Sequence, residues 1–306
     1  MQIAITSPSF SSNKILQNEI YRYFPNTKLN FQGIRFDRKD LIAYIQDADG
    51  IVVGLEQIDE AVLSACPQLK IVSKYGVGLN NIDIEACMRR GVHIGWTGGV
   101  NRLSVAEMTL GYMLMLTRNL YVTSNQLKNG TWNKSGGFQL SEKTIGIVGL
   151  GHIGKELARL LKPFKCRILV NDIIEQEIYC KEHGLIEVSK ETLFKEADIV
   201  TIHTPLDKIT ENLISLDILK MMKPSVFLIN SARGGIINEH DLKYALQNGI
   251  IAGAAIDAYV EEPPGDSEFL KLPNLICTPH IGGNAQEAVE AMGKSAIHHL
   301  REYFNK

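Results

Sequence analysis

Short apolar runs separated by amphipathic stretches dominate the pattern of this 306-residue chain. In the N-terminal third the apolar runs predict strands at about Gln2 to Thr6, Lys28 to Phe31, Gly50 to Val53, Lys70 to Ser73 and His93 to Trp96. The stretches between them, such as 58–65 and 84–90, have helical periodicity. Because strands alternate with helices, the pattern predicts a parallel sheet.

The same alternation continues through the rest of the chain. A long apolar helix is predicted from about Ser104 to Arg118, and the stretch from Asn119 to Glu142 is predicted to be irregular. Six further strands follow, near Thr144 to Val148, Arg167 to Asn171, Ile199 to Ile202, Val226 to Asn230, Ile251 to Ile256 and Asn274 to Thr278. A last helix is predicted from Ala285 to Leu300. The chain is therefore assigned to the α/β class, with doubly wound parallel sheets.

Composition and charge narrow the possible partners. The 32 basic and 34 acidic residues give a formal net charge of −2, which favours neither nucleic acid nor a membrane surface. The five cysteines are scattered and lack metal-ligand spacing, so a reducing cytoplasm is expected and no metal site is predicted. The N-terminus has no secretory pattern, and the apolar helix that contains Glu107 is too short to span a bilayer. Small metabolites are the expected partners.

A glycine loop follows the strand predicted at Thr144 to Val148. The sequence Gly149-Leu150-Gly151-His152-Ile153-Gly154 leads into a predicted helix that ends near Leu161. In a dinucleotide-binding unit the first glycine permits a tight turn, the second lets a pyrophosphate approach bare backbone, and the third lets helix and strand pack closely. The phosphates then face N–H groups at the helix N-terminus. The loop therefore predicts a dinucleotide cofactor; the alternative is a glycine loop that serves only as a turn.

The next strand discriminates between dinucleotides. Asp172 follows it, 18 residues beyond Gly154, near the position where such units place an acidic residue to bind the adenosine ribose hydroxyls. Its carboxylate would repel a 2′-phosphate, and Ile173 and Ile174 offer no arginine to bind one. NAD is therefore the predicted cofactor.

Further candidate residues stand at the ends of the later strands. Ligands of doubly wound sheets lie beyond the carboxyl ends of the strands, so these positions are candidates for contact with the cofactor. They are Thr204, Pro205, Ser231, Ala232, Arg233, Asp257, His280, Gly282 and Gly283. Because strand ends are exposed in any case, some polar residues are expected there without a function.

Two of these residues, Arg233 and His280, form a candidate catalytic set together with Glu262, which lies five residues after Asp257. Arg233 lies among small residues, and a guanidinium suits a planar carboxylate because its fork gives two parallel hydrogen bonds. His280 offers an imidazole, the side chain that exchanges protons close to neutral pH. Glu262 would orient that imidazole and favour its protonated form. The alternatives are a surface salt bridge for Arg233 and a solvated acidic turn for Glu261 and Glu262.

Taken together, these motifs resemble the D-isomer-specific 2-hydroxyacid dehydrogenase family over essentially the whole chain. The matching stretches are 75–83, 104–107, 149–154, 230–234, 257–263 and 278–283. The resemblance implies that Arg233, Glu262 and His280 are catalytic and that Asp257 holds the nicotinamide carboxamide. Within the family, the Gly-Leu-Gly-His-Ile-Gly and Pro-His-Ile-Gly-Gly stretches are most similar to the D-3-phosphoglycerate dehydrogenases, here in a short form without their C-terminal regulatory domain.

The resemblance also implies an architecture. A Rossmann dinucleotide-binding domain, 99–283, is inserted into a flavodoxin-like substrate domain made of 1–98 and 284–306. The family is usually dimeric, so a homodimer is expected. The expected substrate-binding residues are Lys74, Tyr75, Gly76, Val77, Gly78 and Asn101.

The identity of the acid stays open in the sequence. The resemblance favours 3-phosphoglycerate and phosphohydroxypyruvate, a reaction of serine biosynthesis, but Gly54 stands where an arginine is expected, with Glu56 close behind. Lys74 and Arg102 are candidate replacements for that arginine. The nearest alternative is an unphosphorylated acid such as glyoxylate or hydroxypyruvate. A formate oxidase is disfavoured by Glu262, and an NAD-sensing, corepressor-like scaffold is the alternative from another class.

Overall fold

The computed structural model describes residues 1–305, which form two compact units. One comprises Met1–Asn101 and the described residues from Asn284 onward, and the other comprises Arg102–Gly283. We call the first the split unit and the second the inserted unit. The assignment of the split unit to substrate binding stays a prediction.

The split unit begins with alternating strands and helices. Its strands are β1 (Ile3–Ile5), β2 (Thr27–Leu29), β3 (Gly50–Val53), β4 (Ile71–Lys74) and β5 (His93–Gly95). Its first helices are α1 (Pro8–Ser12), α2 (Lys14–Tyr23), α3 (Arg38–Ile45), α4 (Glu60–Ala65) and α5 (Ile84–Arg89). The side chains of Asn13, Asp37, Asp59 and Asp83 accept N–H hydrogen bonds in the first turns of α2 to α5 and so fix where these helices begin.

The inserted unit continues the alternation. Its helices are α6 (Arg102–Thr117), α7 (Leu120–Lys128), α8 (His152–Leu161), α9 (Glu177–His183), α10 (Lys190–Glu196), α11 (Leu216–Met221), α12 (Glu239–Gln247) and α13 (Ser267–Leu270). Its strands are β6 (Thr144–Val148), β7 (Arg167–Asn171), β8 (Ile186–Glu187), β9 (Ile199–Ile202), β10 (Phe227–Asn230), β11 (Gly253–Ile256) and β12 (Leu275–Cys277). A short 3-10 helix, Lys162–Phe164, extends α8.

The split unit is built on a five-stranded parallel sheet in the order β2-β1-β3-β4-β5. Alternate residues of its strands serve two cores. Ile3 and Ile5 pack with Leu16 of α2 and Leu300 of α14 (Gln286–Phe304), the helix that returns the chain to this unit. Ala4, between them, packs on the opposite face with α3, α4 and α5. Both faces are therefore covered, which explains the continuous apolar runs in these strands.

The inserted unit is built on a seven-stranded parallel sheet in the order β12-β11-β10-β9-β6-β7-β8. Ile145 and Ile147 of β6 pack with α6 and α8, whereas Val148 packs on the other face with α10, α11 and α12. From β6 the chain builds outward to β7 and β8, and it then returns to start the other half of the sheet at β9. The strand order reverses between β6 and β9, which is where ligands bind in sheets of this kind.

The predicted α/β class with parallel sheets is confirmed, with two differences in the inserted unit. The stretch 119–142, predicted to be irregular, contains α7, and β8 lies outside the predicted strands. No residue of α7 is buried, so this helix lacks the one-sided apolar stripe by which a helix is recognised in a sequence. β8 has two residues, both exposed, which is too short for an alternating pattern.

No helix in residues 1–305 is both long enough and apolar enough to cross a membrane. The 19-residue α14 carries charged side chains along its length. The more apolar α6 has 16 residues.

Candidate active site

The glycine loop between β6 and α8 is shaped by backbone contacts at two glycines. Gly149 has φ +94°, and a β-carbon there would lie 2.8 Å from the carbonyl oxygen of His203. A β-carbon on Gly154 would lie 2.3 Å from the carbonyl oxygen of Gly149. Because neither position accommodates a side chain, the loop closes tightly over the end of β6. Gly151 differs, since a β-carbon there would meet no atom within 4 Å.

The N-terminus of α8 is accessible at the same place. Gly151 occupies the N-cap position, no side chain caps the helix, and no acidic residue lies in its first turn. His152 and Ile153 are the first two helical residues, so their N–H groups have no partner within the helix. Such a helix terminus attracts phosphate oxygens. The open side at Gly151 and the uncapped helix therefore fit the pyrophosphate of a dinucleotide.

Asp172 directly follows β7 and contacts the glycine loop. Its Oδ2 accepts the N–H of Leu150 at 2.6 Å, and its Oδ1 accepts the N–H of Ile174 at 3.0 Å. The carboxylate thus braces the loop and places a negative charge at the end of β7. Ile173, beside it, is 81% exposed. In the sequence, Ile173 and Ile174 indicated only the absence of an arginine; their position directly after an acidic strand end is the signal for an apolar surface next to Asp172.

Two buried polar atoms after β9 lack hydrogen-bond partners in the described part of the chain, the Nδ1 of His203 and the Oγ1 of Thr204. Burial lowers the pKa of His203 to about 3, so its imidazole is neutral, and its Nε2 lies 3.0 Å from the Oγ1 of Thr201. A buried hydroxyl without a partner costs free energy unless a ligand completes it. Thr204 therefore fits a polar group of a bound cofactor. The carbonyl of Pro205, next to it, accepts a hydrogen bond from Thr210.

Arg233 lies in the loop after β10, and this loop packs closely on the one after β11. A β-carbon on Gly234 would lie 1.9 Å from the carbonyl oxygen of Tyr259. The side chain of Asn230 closes the turn by donating to the carbonyl of Arg233 at 2.8 Å. Burial lowers the pKa of Arg233, and the charge of Glu262 opposes this shift. The guanidinium is therefore half-buried and within electrostatic reach of Glu262.

Ser231 and Ala232 precede this arginine and are buried. The Oγ of Ser231 lies 3.0 Å from the Oγ1 of Thr109 in α6. The N–H of Ala232 donates to Oδ1 of Asn230 at 3.0 Å, and its carbonyl accepts a hydrogen bond from Nη1 of Arg233 at 2.7 Å. These bonds fix the loop, and a contact of either residue with the cofactor stays a prediction.

His280 and Glu262 form a hydrogen-bonded pair in which both carboxylate oxygens face one ring nitrogen. The Nδ1 of His280 lies 2.8 Å from Oε1 and 2.9 Å from Oε2 of Glu262. Oε1 also accepts the N–H of Tyr259 at 3.1 Å, which ties the carboxylate to its own loop. The side chains of His280 and Glu262 are 44% and 41% exposed. The carboxylate orients the imidazole, and the exposure of the ring suits proton exchange with a ligand.

Asp257 supports the turn that carries His280. It is 1% exposed, and its two oxygens accept the N–H groups of Ile281 at 2.9 Å and of Gly282 at 2.8 Å. The hydroxyl of Thr278 donates to the same carboxylate at 2.5 Å. His280 has φ +53°, a left-handed backbone that few side chains adopt, and these bonds hold it there. This support was not predicted from the sequence, and the contact of Asp257 with the nicotinamide carboxamide stays a prediction.

The predicted cofactor and catalytic residues share one rim of the inserted unit. All of them lie beyond the carboxyl ends of β6, β7, β9, β10, β11 and β12, up to Gly283, the last residue of the unit. Their distribution over six strands places an uncapped helix N-terminus, a guanidinium and an oriented imidazole on the same edge of one sheet. Such an edge can bind an anionic ligand and move a proton.

The predicted substrate residues Lys74 and Tyr75 lie at the end of β4 in the split unit. The Nζ of Lys74 donates to the carbonyl of Gly54 at 2.5 Å and to Oδ1 of Asn81 at 2.6 Å. The hydroxyl of Tyr75, a buried residue, lies 3.1 Å from the Oγ of Ser9. The ammonium of Lys74 is therefore bonded within its own unit, and its partner Asn81 was missed because a contact across a loop leaves no periodic signal.

The loop after Tyr75 contains the other substrate candidates. Gly76 has φ +135°, and the carbonyl of Val77 accepts the indole N–H of Trp96 at 3.0 Å. Gly78 follows and is partly buried. The Oδ1 of Asn101 is buried and has no partner among the described residues. Asn101 is thus the substrate candidate with an unsatisfied acceptor.

Two further contacts bear on the charge of the predicted substrate region. The Oε2 of Glu56 accepts the N–H of Gly54 at 2.9 Å and the hydroxyl of Thr6 at 2.7 Å, so a carboxylate lies at the ends of β1 and β3. Arg102, in the inserted unit, lies 3.4 Å from Glu156. Neither arrangement is a preformed site for a phosphate group.

The cysteines and acidic residues form no further centre in residues 1–305. No group of three or more His, Cys, Asp or Glu side chains is placed to hold a metal ion. All five cysteines are free thiols, and three of them are buried.

Comparison with known proteins matches this chain both to a family model and to individual relatives. Residues 110–282 match the family model described as D-isomer specific 2-hydroxyacid dehydrogenase, NAD binding domain. The chain is 35% identical over 270 residues to a glyoxylate reductase of Thermococcus litoralis, covering 85% of this chain and 82% of the relative. It is 35% identical over 260 residues to the D-3-phosphoglycerate dehydrogenase of Homo sapiens, covering 84% of this chain and 49% of the relative. The chain thus spans about half the length of that second relative.

A solved structure agrees with the sequence matches. The NAD-dependent formate dehydrogenase of Staphylococcus aureus, determined in complex with NAD, superposes with a TM-score of 0.83 at 28% sequence identity. The match covers 100% of this chain and 96% of that one. Its NAD complex accords with the phosphate-binding features of the loop between β6 and α8.

Proposed function

Because the chain belongs to the D-isomer specific 2-hydroxyacid dehydrogenase family, we propose that it interconverts a D-2-hydroxy acid and the corresponding 2-keto acid. It is an NAD-dependent enzyme, as the family and its relatives are. The observation that carries the proposal is the pair formed by His280 and Glu262, with Nδ1 2.8 Å and 2.9 Å from the two carboxylate oxygens. This pair shares its rim with Arg233 and the glycine loop.

NAD, when bound, supplies the hydride acceptor or donor of this reaction. The open side of Gly151 and the uncapped N-terminus of α8 support an assignment of the pyrophosphate to the loop 149–154. The carboxylate of Asp172 supports binding of the adenosine ribose hydroxyls. The buried, unpartnered hydroxyl of Thr204 is a further candidate contact.

His280 is assigned as the general acid and base. In oxidation its imidazole accepts the proton of the substrate hydroxyl, and in reduction its imidazolium returns a proton to the alkoxide oxygen. Glu262 bonds to Nδ1, so the proton is exchanged through Nε2. The carboxylate of Glu262 fixes the ring plane and stabilises the imidazolium.

Arg233 is assigned to the carboxylate and keto oxygen of the substrate. Its guanidinium is half-buried, so an ion pair formed there is screened less than one at the surface. The planar fork matches a carboxylate with two parallel hydrogen bonds. Arg233 would thus hold the acid, and His280 would move its proton.

The acid itself has two candidates. The sequence favours 3-phosphoglycerate, and a glyoxylate reductase and a D-3-phosphoglycerate dehydrogenase are relatives at the same 35% identity. The contacts of Glu56 and Lys74 support an unphosphorylated acid. Glu56 brings a carboxylate to the region where a phosphate ligand is expected, and the Nζ of Lys74 bonds to Gly54 and Asn81. We therefore propose a small unphosphorylated 2-keto acid as the substrate, with phosphohydroxypyruvate as the alternative.

A substrate panel tests both levels of the proposal. Purified protein is mixed with NADH or NADPH and with glyoxylate, hydroxypyruvate or phosphohydroxypyruvate, and loss of the reduced nicotinamide absorbance is followed. We expect turnover with NADH and an unphosphorylated acid, and much weaker use of NADPH because Asp172 repels a 2′-phosphate. Turnover confined to phosphohydroxypyruvate would reverse the choice of acid. Absence of turnover with every acid would contradict the enzyme assignment and favour the scaffold alternative.

A homodimer is proposed for the assembly. No residue of α7 is buried, and large apolar side chains on α7 and the segment after it are exposed: Leu120, Leu127, Trp132 and Phe138. Exposed apolar residues concentrated in one segment are typical of a protein interface. A second copy of this chain is the partner that the family resemblance implies.

A further inference from the structure

The loop 258–265 carries Glu262, and its outer part, from Val260 onward, is only lightly attached to the inserted unit, whereas Ala258 and Tyr259 are buried. Val260 is 65% exposed, and an open groove of about 490 Å³ lies under the loop, lined among others by Ile237, Glu239, Glu261 and Pro264. Side-chain packing therefore does little to fix the outer part of this loop. The position of Glu262, and with it the orientation of His280, must depend on a few specific bonds.

One such bond comes from Glu239, the first residue of α12. Its Oε1 accepts the N–H of Val260 at 2.7 Å. Among the described residues this is the only hydrogen bond from a main-chain N–H of 258–262 to a residue outside the loop. Glu239 is itself held in place, because Asn238 caps α12 by accepting the N–H of Asp241 at 3.1 Å.

We propose that Glu239 is a positioning residue for the pair of His280 and Glu262. Its carboxylate holds Val260, two residues before Glu262, and the next N–H back along the loop, that of Tyr259, donates to Glu262 itself. The inference rests on the proposed function, in which His280 and Glu262 move the substrate proton. It assigns Glu239 no contact with substrate or cofactor.

The charges around Glu239 leave the hydrogen bond as its main role. Burial raises the pKa of Glu239, the hydrogen bond from the N–H of Val260 lowers it, and the charges of Asp266 and Glu261 raise it to a smaller extent. Lys243, one turn further along α12, bonds to Asp266 at 2.8 Å and to Glu268 at 3.2 Å. His240 is the remaining titratable group that lines the groove. Since burial and two carboxylates disfavour a negative charge on Glu239, an uncharged acceptor of the same length should serve in its place.

Two variants separate the hydrogen bond from the charge. Glu239→Asp keeps the charge at the start of α12 but shortens the side chain by one methylene, so the carboxylate no longer reaches Val260. Glu239→Gln keeps the length and an acceptor oxygen but removes the charge. We expect Glu239→Asp to lower kcat about 10- to 100-fold, because small displacements of catalytic groups are costly, with an unchanged KM for NADH. Glu239→Gln should stay close to the wild type.

Rescue by the longer side chain gives a second readout, which a purely structural role would not move. Glu239→Asp should lower kcat while the thermal midpoint of unfolding and the KM for NADH stay at their wild-type values, and Glu239→Gln should restore kcat. Glu261→Gln, an exposed acid in the same loop, is the matched control and should behave as the wild type.

The outcomes separate this inference from the proposed function. Equal kcat in the Asp and Gln variants, with or without a loss relative to the wild type, would overturn the role of Glu239, and so would a Gln variant that does not fold. Loss of activity in His280→Ala together with a wild-type Glu239→Asp would reject the inference alone. Full activity in His280→Ala would reject the proposed function itself.

Discussion

His280 depends on two carboxylates that act on different parts of it. Glu262 bonds to its imidazole, whereas Asp257 binds the N–H groups of the two residues that follow it. The first sets the ring, and the second sets the left-handed backbone from which the ring projects. In the proposed proton transfer, the backbone of His280 is thus fixed by its bonds to Asp257. The orientation of its ring is adjustable, since Glu262 lies on an exposed loop.

Removal of the imidazole tests the residue-scale assignment. His280→Ala should lower turnover about 10²- to 10⁴-fold, since the general acid and base is lost. The measurement is kcat with NADH and the best acid of the substrate panel, together with the thermal midpoint of unfolding. His183→Ala, which removes an exposed histidine of α9, is the control and should keep full activity. Wild-type turnover in His280→Ala would remove His280 from the mechanism.

At this scale, the sequence was informative where a residue directly follows a strand. Arg233, Asp257 and His280 were predicted as site residues because the carboxyl ends of parallel strands lie at one edge of the sheet. Glu239 was not predicted, because its hydrogen bond to Val260 joins residues 21 positions apart and no local pattern describes the path of that loop. The support of Asp257 for the His280 turn was missed for the same reason.

Among the elements, the glycine loop contains two positions that cannot accommodate a side chain and one that can. Gly149 and Gly154 have backbone oxygens within 3 Å of where a β-carbon would lie, whereas Gly151 faces open space. Gly149 and Gly154 are needed for the fold, and Gly151 is the position assigned to contact with the ligand. This difference predicts that substitutions in one short loop will have separate effects on stability and on binding.

Gly151→Ala tests that separation. The added methyl group meets no protein atom within 4 Å, so the free energy of unfolding should change by less than about 1 kcal/mol. The same methyl group lies where a phosphate would approach bare backbone, so the Kd for NADH should rise at least about 10-fold. Denaturant unfolding and a fluorescence titration with NADH give the two values. Gly136→Ala, at another glycine with open space around it, should leave both unchanged, and an unchanged Kd in Gly151→Ala would contradict the phosphate assignment.

The elements that were predicted correctly are those with strong burial. The central strands β6, β9 and β10 are mainly apolar, almost fully buried and bounded by turns, so their sequences indicate them directly. α7 and β8 were not predicted because none of their residues is buried.

For the whole molecule, the exposed side of α7 predicts the assembly state. The wild type should have about twice the 34.0 kDa mass of one chain in light scattering after size exclusion. Leu127→Glu should shift the mass toward that of one chain, since a charge in an apolar interface is costly. Ile178→Glu, an equally apolar and exposed position on α9, should leave the mass unchanged. A wild type with the mass of a single chain would show that α7 serves another purpose.

The chain passes between its two units at two places, after Asn101 and after Gly283. Every residue assigned here to NAD and to proton transfer comes from the continuous segment between these joints, and so does Arg233, which is assigned to the carboxylate of the acid. The other predicted substrate residues, 74–78 and 101, come from the remainder. Under these assignments the gene has a catalytic module flanked by the two parts of a module that recognises the rest of the acid. Recombination at the two joints would then give an enzyme that accepts a new acid while its imidazole, its carboxylate partner and its phosphate loop are inherited intact.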